Sequence, residues 1–149
     1  MLSFIHLSTR LSPVLHMFIC NYCTCSACYH GSMQIHGSCL CGAVTVSSER
    51  EEVVGIVQCF CTDCQKHLGN FAPWVVCEKK STSLEGPVCS YASSETSHRL
   101  SCEKCGASLA KQPNDGSKIL IAAGIFDQPL DMQVIKQVFT EDKQPWMEG

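Results

Sequence analysis

The sequence predicts an all-β domain, and three observations lead to that prediction. Short segments rich in β-prone residues recur along residues 43–140, separated by turns that carry glycine, proline or asparagine. The apolar spacing of a long amphipathic helix does not occur in them. Groups of cysteines follow two of these segments, where a bound metal would stabilise a domain with a small hydrophobic core.

Length and charge narrow the range of functions. The 149 residues are enough for one domain with a modest core. The formal net charge of −3 provides no basic surface for phosphate groups, so we expect no nucleic-acid partner. No apolar run in the sequence is long enough to cross a bilayer, so we also expect no membrane partner.

Cysteine is the unusual component of the chain. There are 13 cysteines, an odd number, and most of them lie in tight C-x-C or C-x-x-C groups. A secreted disulfide framework spreads and pairs its cysteines, whereas grouped thiols favour metal binding in a reducing compartment. We therefore expect an intracellular, cytoplasmic protein.

Residues 1–32 differ in composition from the rest of the chain. They contain no aspartate or glutamate, and the first acidic residue of the chain is Glu49. An acid-poor leader that contains serine is typical of mitochondrial targeting segments, which makes that location possible if the leader is real. We expect residues 1–32 to lie outside the fold, as a mis-assigned start or a targeting segment, and residues 33–149 to form the domain. Four cysteines of the leader could bind a metal independently: Cys20, Cys23, Cys25 and Cys28.

Eight segments of the regular region have the composition of strands. Valine, isoleucine and other β-prone residues dominate them, and several alternate with small or polar residues as half-buried strands require. In order, the segments are residues 43–47, 53–58, 71–77, 79–86, 88–93, 96–101, 118–124 and 132–140.

The connections between the segments carry turn residues. We expect a hairpin in which segments 79–86 and 88–93 pair around the turn Glu85-Gly86-Pro87. Residues 65–69 are expected to form a short helical turn that ends at a glycine. Asn114-Asp115-Gly116 is a strong turn signal before the next strand.

Individual residues refine these assignments. The glycine-flanked segment Ile35–Gly42 is expected to form a turn that carries two thiols. Pro73 places its segment at a strand start or a sheet edge, because proline donates no backbone hydrogen bond. The apolar segment 118–124 is the strongest candidate for a core strand.

Seven cysteines of the regular region form three groups. Neighbouring thiols this close cannot all pair as disulfides without strain, whereas thiolates are soft ligands that bind zinc in a tetrahedron. The groups are Cys39 with Cys41, Cys59 with Cys61 and Cys64, and Cys102 with Cys105.

The number of thiols in each group predicts two kinds of zinc site. Two groups of two complete a closed site, which is typical of structural zinc, and a group of three leaves one position for a substrate, which is typical of catalytic zinc. Counting alone leaves open a mixed arrangement with shared ligands. The turn Cys102–Gly106 is the most specific metal signal, since its glycine permits the tight geometry.

Residues outside these groups are weaker candidates. Cys77 and Cys89 stand alone in β-prone segments, and we expect both to be small buried hydrophobes. His67 is the best candidate among the histidines, because it follows the three-thiol turn by one helical turn. Three further residues close to that turn are candidates for substrate contact, although the aromatic ones are expected in the core: Lys66, Phe71 and Trp74.

Five motifs of the chain occur together, in the same order, in a known family. They are Gly37–Val44, Cys59–Cys64, Cys102–Gly106, Ala123–Asp127 and Pro145-Trp146. Through these motifs the sequence resembles the glutathione-dependent formaldehyde-activating enzymes, a family that includes the centromere protein V proteins.

The resemblance implies a β-tent fold, which is a set of small antiparallel sheets that binds zinc. It implies two Zn²⁺ per chain, one structural and one catalytic. At one position, Phe60, the family commonly has a histidine that is not a ligand, so metal binding should survive, while the imidazole that could serve glutathione contact or proton handling is lost. The implied structural ligands are Cys39, Cys41, Cys102 and Cys105, and the implied catalytic ligands are Cys59, Cys61 and Cys64.

Two functions follow from the resemblance. The first is a carbon–sulfur lyase-type enzyme that joins the thiol of glutathione to formaldehyde, giving S-(hydroxymethyl)glutathione, or acts on a related thiol adduct. The alternative is a non-catalytic zinc module of the centromere protein V type that binds a protein partner. Zinc that is labile to glutathione would favour the enzyme, and inert zinc would favour the module.

Overall fold

The computed structural model describes residues 34–147, which contain ten β-strands, one α-helix and several short 3-10 helices. The expectation that residues 1–32 form a separate leader therefore falls outside the described residues. The helix is α1 (Thr62–Leu68). The strands are β1 (Gln34–Ser38), β2 (Thr45–Glu49), β3 (Val53–Cys59), β4 (Ala72–Glu78), β5 (Thr82–Glu85), β6 (Val88–Ser94), β7 (Ser97–Cys102), β8 (Ser108–Pro113), β9 (Lys118–Ala122) and β10 (Val134–Val138).

The strands form two sheets. The smaller sheet has the order β1-β2-β5, and the larger has the order β10-β3-β4-β9-β8-β7-β6. Neighbouring strands are antiparallel except for β10 and β3, which run parallel. The prediction of an all-β fold is confirmed. A helix able to cross a membrane is absent from residues 34–147.

The hydrophobic core lies against β4 and β9, in the middle of the larger sheet. Trp74 and Val75 of β4 are buried, as are Ile119 and Ile121 of β9. The predicted core strand at residues 118–124 is thus confirmed as β9. Pro73 is the second residue of β4, so it stands at a strand start, as one of the two expected positions.

The predicted hairpin around Glu85-Gly86-Pro87 is wrong. β5 pairs with β2 in the smaller sheet, and β6 pairs with β7 in the larger sheet. The turn carries the chain from one sheet to the other, and it packs against the Ala43 backbone so closely that a Cβ atom on Gly86 would lie 2.2 Å from the Ala43 carbonyl oxygen. Gly86 also has a φ of +123°, which side chains rarely adopt.

Strand β1 occupies residues that the sequence placed partly in a turn. Its Gly37 forms a β-bridge with Phe126, from the segment that follows β9. A Cβ atom on Gly37 would lie 2.2 Å from the carbonyl oxygen of Ile125, so this close approach requires glycine. The bridge thereby joins the smaller sheet to the segment after the core strand β9. Because β1 ends at Ser38, it also fixes the position of the next residue, Cys39.

Candidate metal centres

Four cysteines come together at one site from two distant parts of the chain. Cys39 and Cys41 lie on the turn after β1, whereas Cys102 ends β7 and Cys105 follows it. The Cys39 Sγ atom is 3.5 Å from that of Cys41 and 3.6 Å from that of Cys102. All four Sγ atoms lie within 4.8 Å of one another. The structure therefore brings together the first and third cysteine groups.

The two turns of the four-thiol group share one local design. Gly42 and Gly106 each have a φ of +71°, in the left-handed region that favours glycine. The Gly42 N–H donates to the Cys39 carbonyl oxygen over 2.9 Å, and the Gly106 N–H donates to the Cys102 carbonyl oxygen over the same distance. Each glycine thus closes a tight turn that directs two thiols to one side.

Hydrogen bonds stabilise a thiolate in this group. Burial opposes ionisation of Cys39, but the Val44 N–H at 3.2 Å from its Sγ atom and the neighbouring thiols of Cys41 and Cys102 lower its pKa to about 6. The backbone at Ala43 favours ionisation of Cys41, but the neighbouring Cys39 thiol and burial outweigh it and raise the pKa of Cys41 to about 11. A set of thiols in which one is already poised as a thiolate is well suited to bind a metal.

The spacing of the sulfur atoms fits a tetrahedral zinc ion. Four sulfurs at about 2.3 Å from zinc are separated from one another by roughly 3.8 Å. The sulfur–sulfur distances among Cys39, Cys41 and Cys102 are 3.5, 3.6 and 3.9 Å. The residues of this group therefore fit a closed zinc site.

The three-thiol group is formed where β3 passes into α1. Cys59 is the last residue of β3, Cys61 is the N-cap of α1, and Cys64 lies in the first turn of the helix. Their Sγ atoms lie within 4.8 Å of one another, and those of Cys59 and Cys61 are 3.5 Å apart. Cys59 and Cys64 are buried, whereas Cys61 is partly exposed. Cys61 therefore marks the side from which solvent reaches the group.

The C-terminal segment holds the three-thiol turn in place. The Phe60 N–H donates to the Val138 carbonyl oxygen over 3.0 Å, because β10 runs parallel to the end of β3. The side-chain amide of Gln65 donates to the Phe60 carbonyl oxygen and to the Asp142 carbonyl oxygen, the latter over 2.8 Å. The turn is thus fixed by residues about eighty positions downstream as well as by its own helix.

Arg99 is the residue that sequence reasoning missed at this site. It lies on β7, is only 5% exposed, and its Nη2 atom is 3.7 Å from the Cys64 Sγ atom. Burial raises the pKa of Cys64, but the Arg99 guanidinium and the Cys59 thiol lower it by more. The pKa of Cys59 is in turn raised to about 12, chiefly by burial. A cation beside the group favours the thiolate that a metal requires.

Two donor atoms beside Cys64 lack good hydrogen bonds. Within residues 34–147, neither the Trp74 Nε1 atom nor the Arg99 Nη1 atom has a hydrogen-bond partner, and both are buried. Trp74, which is 1% exposed, lies close enough to Cys64 to lower its pKa. Donors that face sulfur ligands are common around thiolate metal sites, so this environment also fits a bound zinc ion.

The remaining candidates lie in different environments. Cys77 is buried, as expected, but the expectation that Cys89 is buried is wrong, because β6 is an edge strand and Cys89 faces solvent. Phe71 packs on Phe60, with ring centroids 5.1 Å apart. His67 lies outside the three-thiol group, and its Nε2 atom forms a 2.8 Å hydrogen bond with the Ser108 hydroxyl.

The fold and the two thiol groups define the class: the chain is a β-sheet domain whose grouped cysteines could hold metal ions. Within that class, the sequence model of the glutathione-dependent formaldehyde-activating enzymes matches residues 34–142, and the chain belongs to that family. The predicted resemblance to these enzymes is confirmed.

A solved structure has a similar fold. It is a crystal structure of a Rhodobacter sphaeroides protein, with a TM-score of 0.56 and 17% sequence identity. The similarity covers 69% of this chain and 99% of that chain, and at this identity it concerns the fold alone. No curated protein sequence is significantly similar to this chain.

Proposed function

We propose that the chain is a zinc-dependent enzyme of the carbon–sulfur lyase type that joins glutathione, or a related small thiol, to formaldehyde. Family membership supports glutathione and formaldehyde as reactants. One observation carries the proposal: three thiols form a group of their own, while four others complete a separate set without them. Because grouped thiols persist in reducing compartments, the proposed location is the cytoplasm.

The two groups take different roles in this proposal. The four-thiol group would hold a structural zinc ion through Cys39, Cys41, Cys102 and Cys105. The three-thiol group would hold the catalytic zinc ion through Cys59, Cys61 and Cys64. A zinc ion held by these three thiolates would offer one further coordination position, and the ion would lower the pKa of a thiol bound there.

The reaction is an addition that needs no oxidant or reductant. The sulfur of the substrate thiol forms a bond to the formaldehyde carbon, and the π bond of the carbonyl group breaks. The proton of the thiol ends on the carbonyl oxygen, which becomes a hydroxyl group. The chain must therefore bind the thiol, favour its ionised form and orient it. Cys61 is the partly exposed member of its group, so the substrate is expected to approach from its side.

Arg99 adjusts the charge of the proposed centre. Three thiolates and one divalent cation carry a net charge of −1, which would repel a further thiolate. The Arg99 guanidinium lies 3.7 Å from Cys64 in a buried setting, where charges interact more strongly than in water. We therefore infer that Arg99 offsets this negative charge and allows an ionised substrate thiol to bind.

The test must separate catalysis from the uncatalysed reaction, because formaldehyde adds to thiols without help. NMR exchange spectroscopy measures the rate at which glutathione and its hydroxymethyl adduct interconvert at equilibrium. The wild-type protein should accelerate that exchange, and Cys61→Ala should reduce the rate to the uncatalysed value. Cys89→Ser is the matched control, since Cys89 is an exposed thiol outside both groups, and it should retain the full rate.

The assay also has an outcome that contradicts the proposal. If the wild-type protein accelerates neither this exchange nor that of any adduct in a panel of small thiols, the enzymatic function is wrong. The non-catalytic zinc module would then be the better explanation of the two thiol groups.

A further inference from the structure

A surface cleft adjoins the three-thiol group. Its volume is about 340 Å³, and α1, β6 and β7 contribute its lining residues. Arg99 belongs both to the cleft and to the surroundings of Cys64, so it connects the two. The lining residues are Asp63, Lys66, His67, Tyr91, Ser93 and Arg99.

The cleft carries more positive than negative charge. Lys66 and Arg99 are cations, and Asp63 is the only carboxylate among the lining residues. Within residues 34–147, the ion pairs are Lys80 with Glu52 and Lys118 with Glu78, so neither cation of the cleft is paired with a carboxylate. An anion entering the cleft would therefore meet two cations that form no ion pair with a carboxylate of the described residues.

Of the two cations in the cleft, Arg99 is the stronger evidence for an anionic ligand. A buried guanidinium with an unsatisfied donor is unfavourable: Nη2 faces the Cys64 sulfur, whereas Nη1 has no hydrogen-bond partner among residues 34–147. Its positive charge also acts on the cleft, because burial and the charge of Arg99 together lower the pKa of His67. Guanidinium groups form paired hydrogen bonds with carboxylates, which makes a carboxylate the best-matched ligand.

We propose that this cleft binds a carboxylate of the thiol substrate through Arg99 and Lys66, and so orients the substrate thiol towards the three-thiol group. The identity of the substrate rests on the proposed function, since glutathione carries two carboxylates and one thiol. Lys66 is exposed and Arg99 is buried, and both line the cleft, so an anionic group that enters it would be attracted by both cations.

The test uses a ligand that cannot react. S-methylglutathione keeps both carboxylates but has no free thiol, and its dimethyl ester lacks the two negative charges. Calorimetric titration of the full chain should show binding of the acid that is about tenfold tighter than binding of the ester. Lys66→Met should narrow that difference, whereas Lys136→Met, which removes an exposed lysine outside the cleft, should leave it unchanged.

Arg99→Lys extends the test to the buried residue. It keeps the charge but loses the paired hydrogen bonds, so it should narrow the difference as well. Equal affinity for acid and ester, a difference unchanged in Lys66→Met, or no measurable binding of S-methylglutathione would overturn the proposal. Carboxylate-dependent binding by a protein that fails to accelerate thiol exchange would uphold the cleft and reject the enzymatic function.

Discussion

The Nη2 atom of Arg99 lies 3.7 Å from the Sγ atom of Cys64, although the two residues belong to β7 and α1 and are 35 positions apart. β7 also ends at Cys102, a member of the four-thiol group. Strand β7 thus supplies a candidate metal ligand to the four-thiol group and a cation to the three-thiol group. The geometry of the two thiol groups is therefore linked through β7.

Replacing the Arg99 cation should weaken metal binding by the three-thiol group. Arg99→Met removes the charge that stabilises the Cys64 thiolate, and changes around metal ligands typically reduce affinity by about 10- to 100-fold. Competition with a chelator measures that affinity for each bound metal. Arg50→Met is the matched control, because Arg50 lies in the turn between β2 and β3, and it should leave both affinities unchanged. An unaltered affinity in Arg99→Met would contradict the proposed electrostatic role.

The two thiol groups should differ in their effect on folding. Cys105→Ala should unfold the domain, because structural zinc contributes about 10–16 kcal/mol, which is comparable to the whole stability of a small domain. Cys61→Ala should retain the fold, since the partly exposed Cys61 belongs to the other group. Thermal unfolding followed by circular dichroism distinguishes the two variants. A folded Cys105→Ala protein would show that the four-thiol group is dispensable.

The close approach of β1 to the segment after β9 should be sensitive to a single methyl group. In Gly37→Ala the new Cβ atom would lie 2.2 Å from the Ile125 carbonyl oxygen, so the bridge to Phe126 must separate. We expect a loss of about 2 kcal/mol or more in the free energy of unfolding. Gly124→Ala, whose Cβ atom would meet nothing within 4 Å, is the control and should change stability little. Equal effects in denaturant titrations of the two variants would contradict this packing.

Phe60 should matter for packing and not for metal binding. It is 4% exposed, packs on Phe71, and has the Lys143 ammonium 4.5 Å from its ring centroid. Phe60→His should cost about 1–3 kcal/mol, because it buries a polar ring at an apolar site, while the metal content stays the same. Phe139→His changes an aromatic residue that is 52% exposed and should cost much less. Loss of metal in Phe60→His would assign Phe60 a direct role at the three-thiol turn.

The thiol groups were predictable because ligand spacing is a local property of the sequence. Cys59, Cys61 and Cys64 lie on one turn, so their proximity follows from their positions alone. The strong apolar run at residues 118–124 likewise predicted the core strand β9. The partner of a strand in a sheet is a non-local property, which explains why the sequence correctly predicts a turn at Gly86 but wrongly pairs the two strands on either side of it.

Arg99 could not be found from the strand pattern. The buried residues of β7 include the polar Ser97 and Arg99, whereas its apolar Leu100 is only partly buried. An alternation of apolar and polar residues would assign the opposite faces. The inward position of Arg99 becomes understandable only when Cys64 is placed beside it, and that neighbour comes from another element.

The zinc content of the wild-type protein and of Cys61→Ala tests the central claim most directly. We expect two zinc ions in the folded wild-type chain and one in a folded Cys61→Ala chain, because only the three-thiol group loses a ligand. A wild-type protein that holds a single zinc ion, or a Cys61→Ala protein that still holds two, would contradict the assignment of two separate sites.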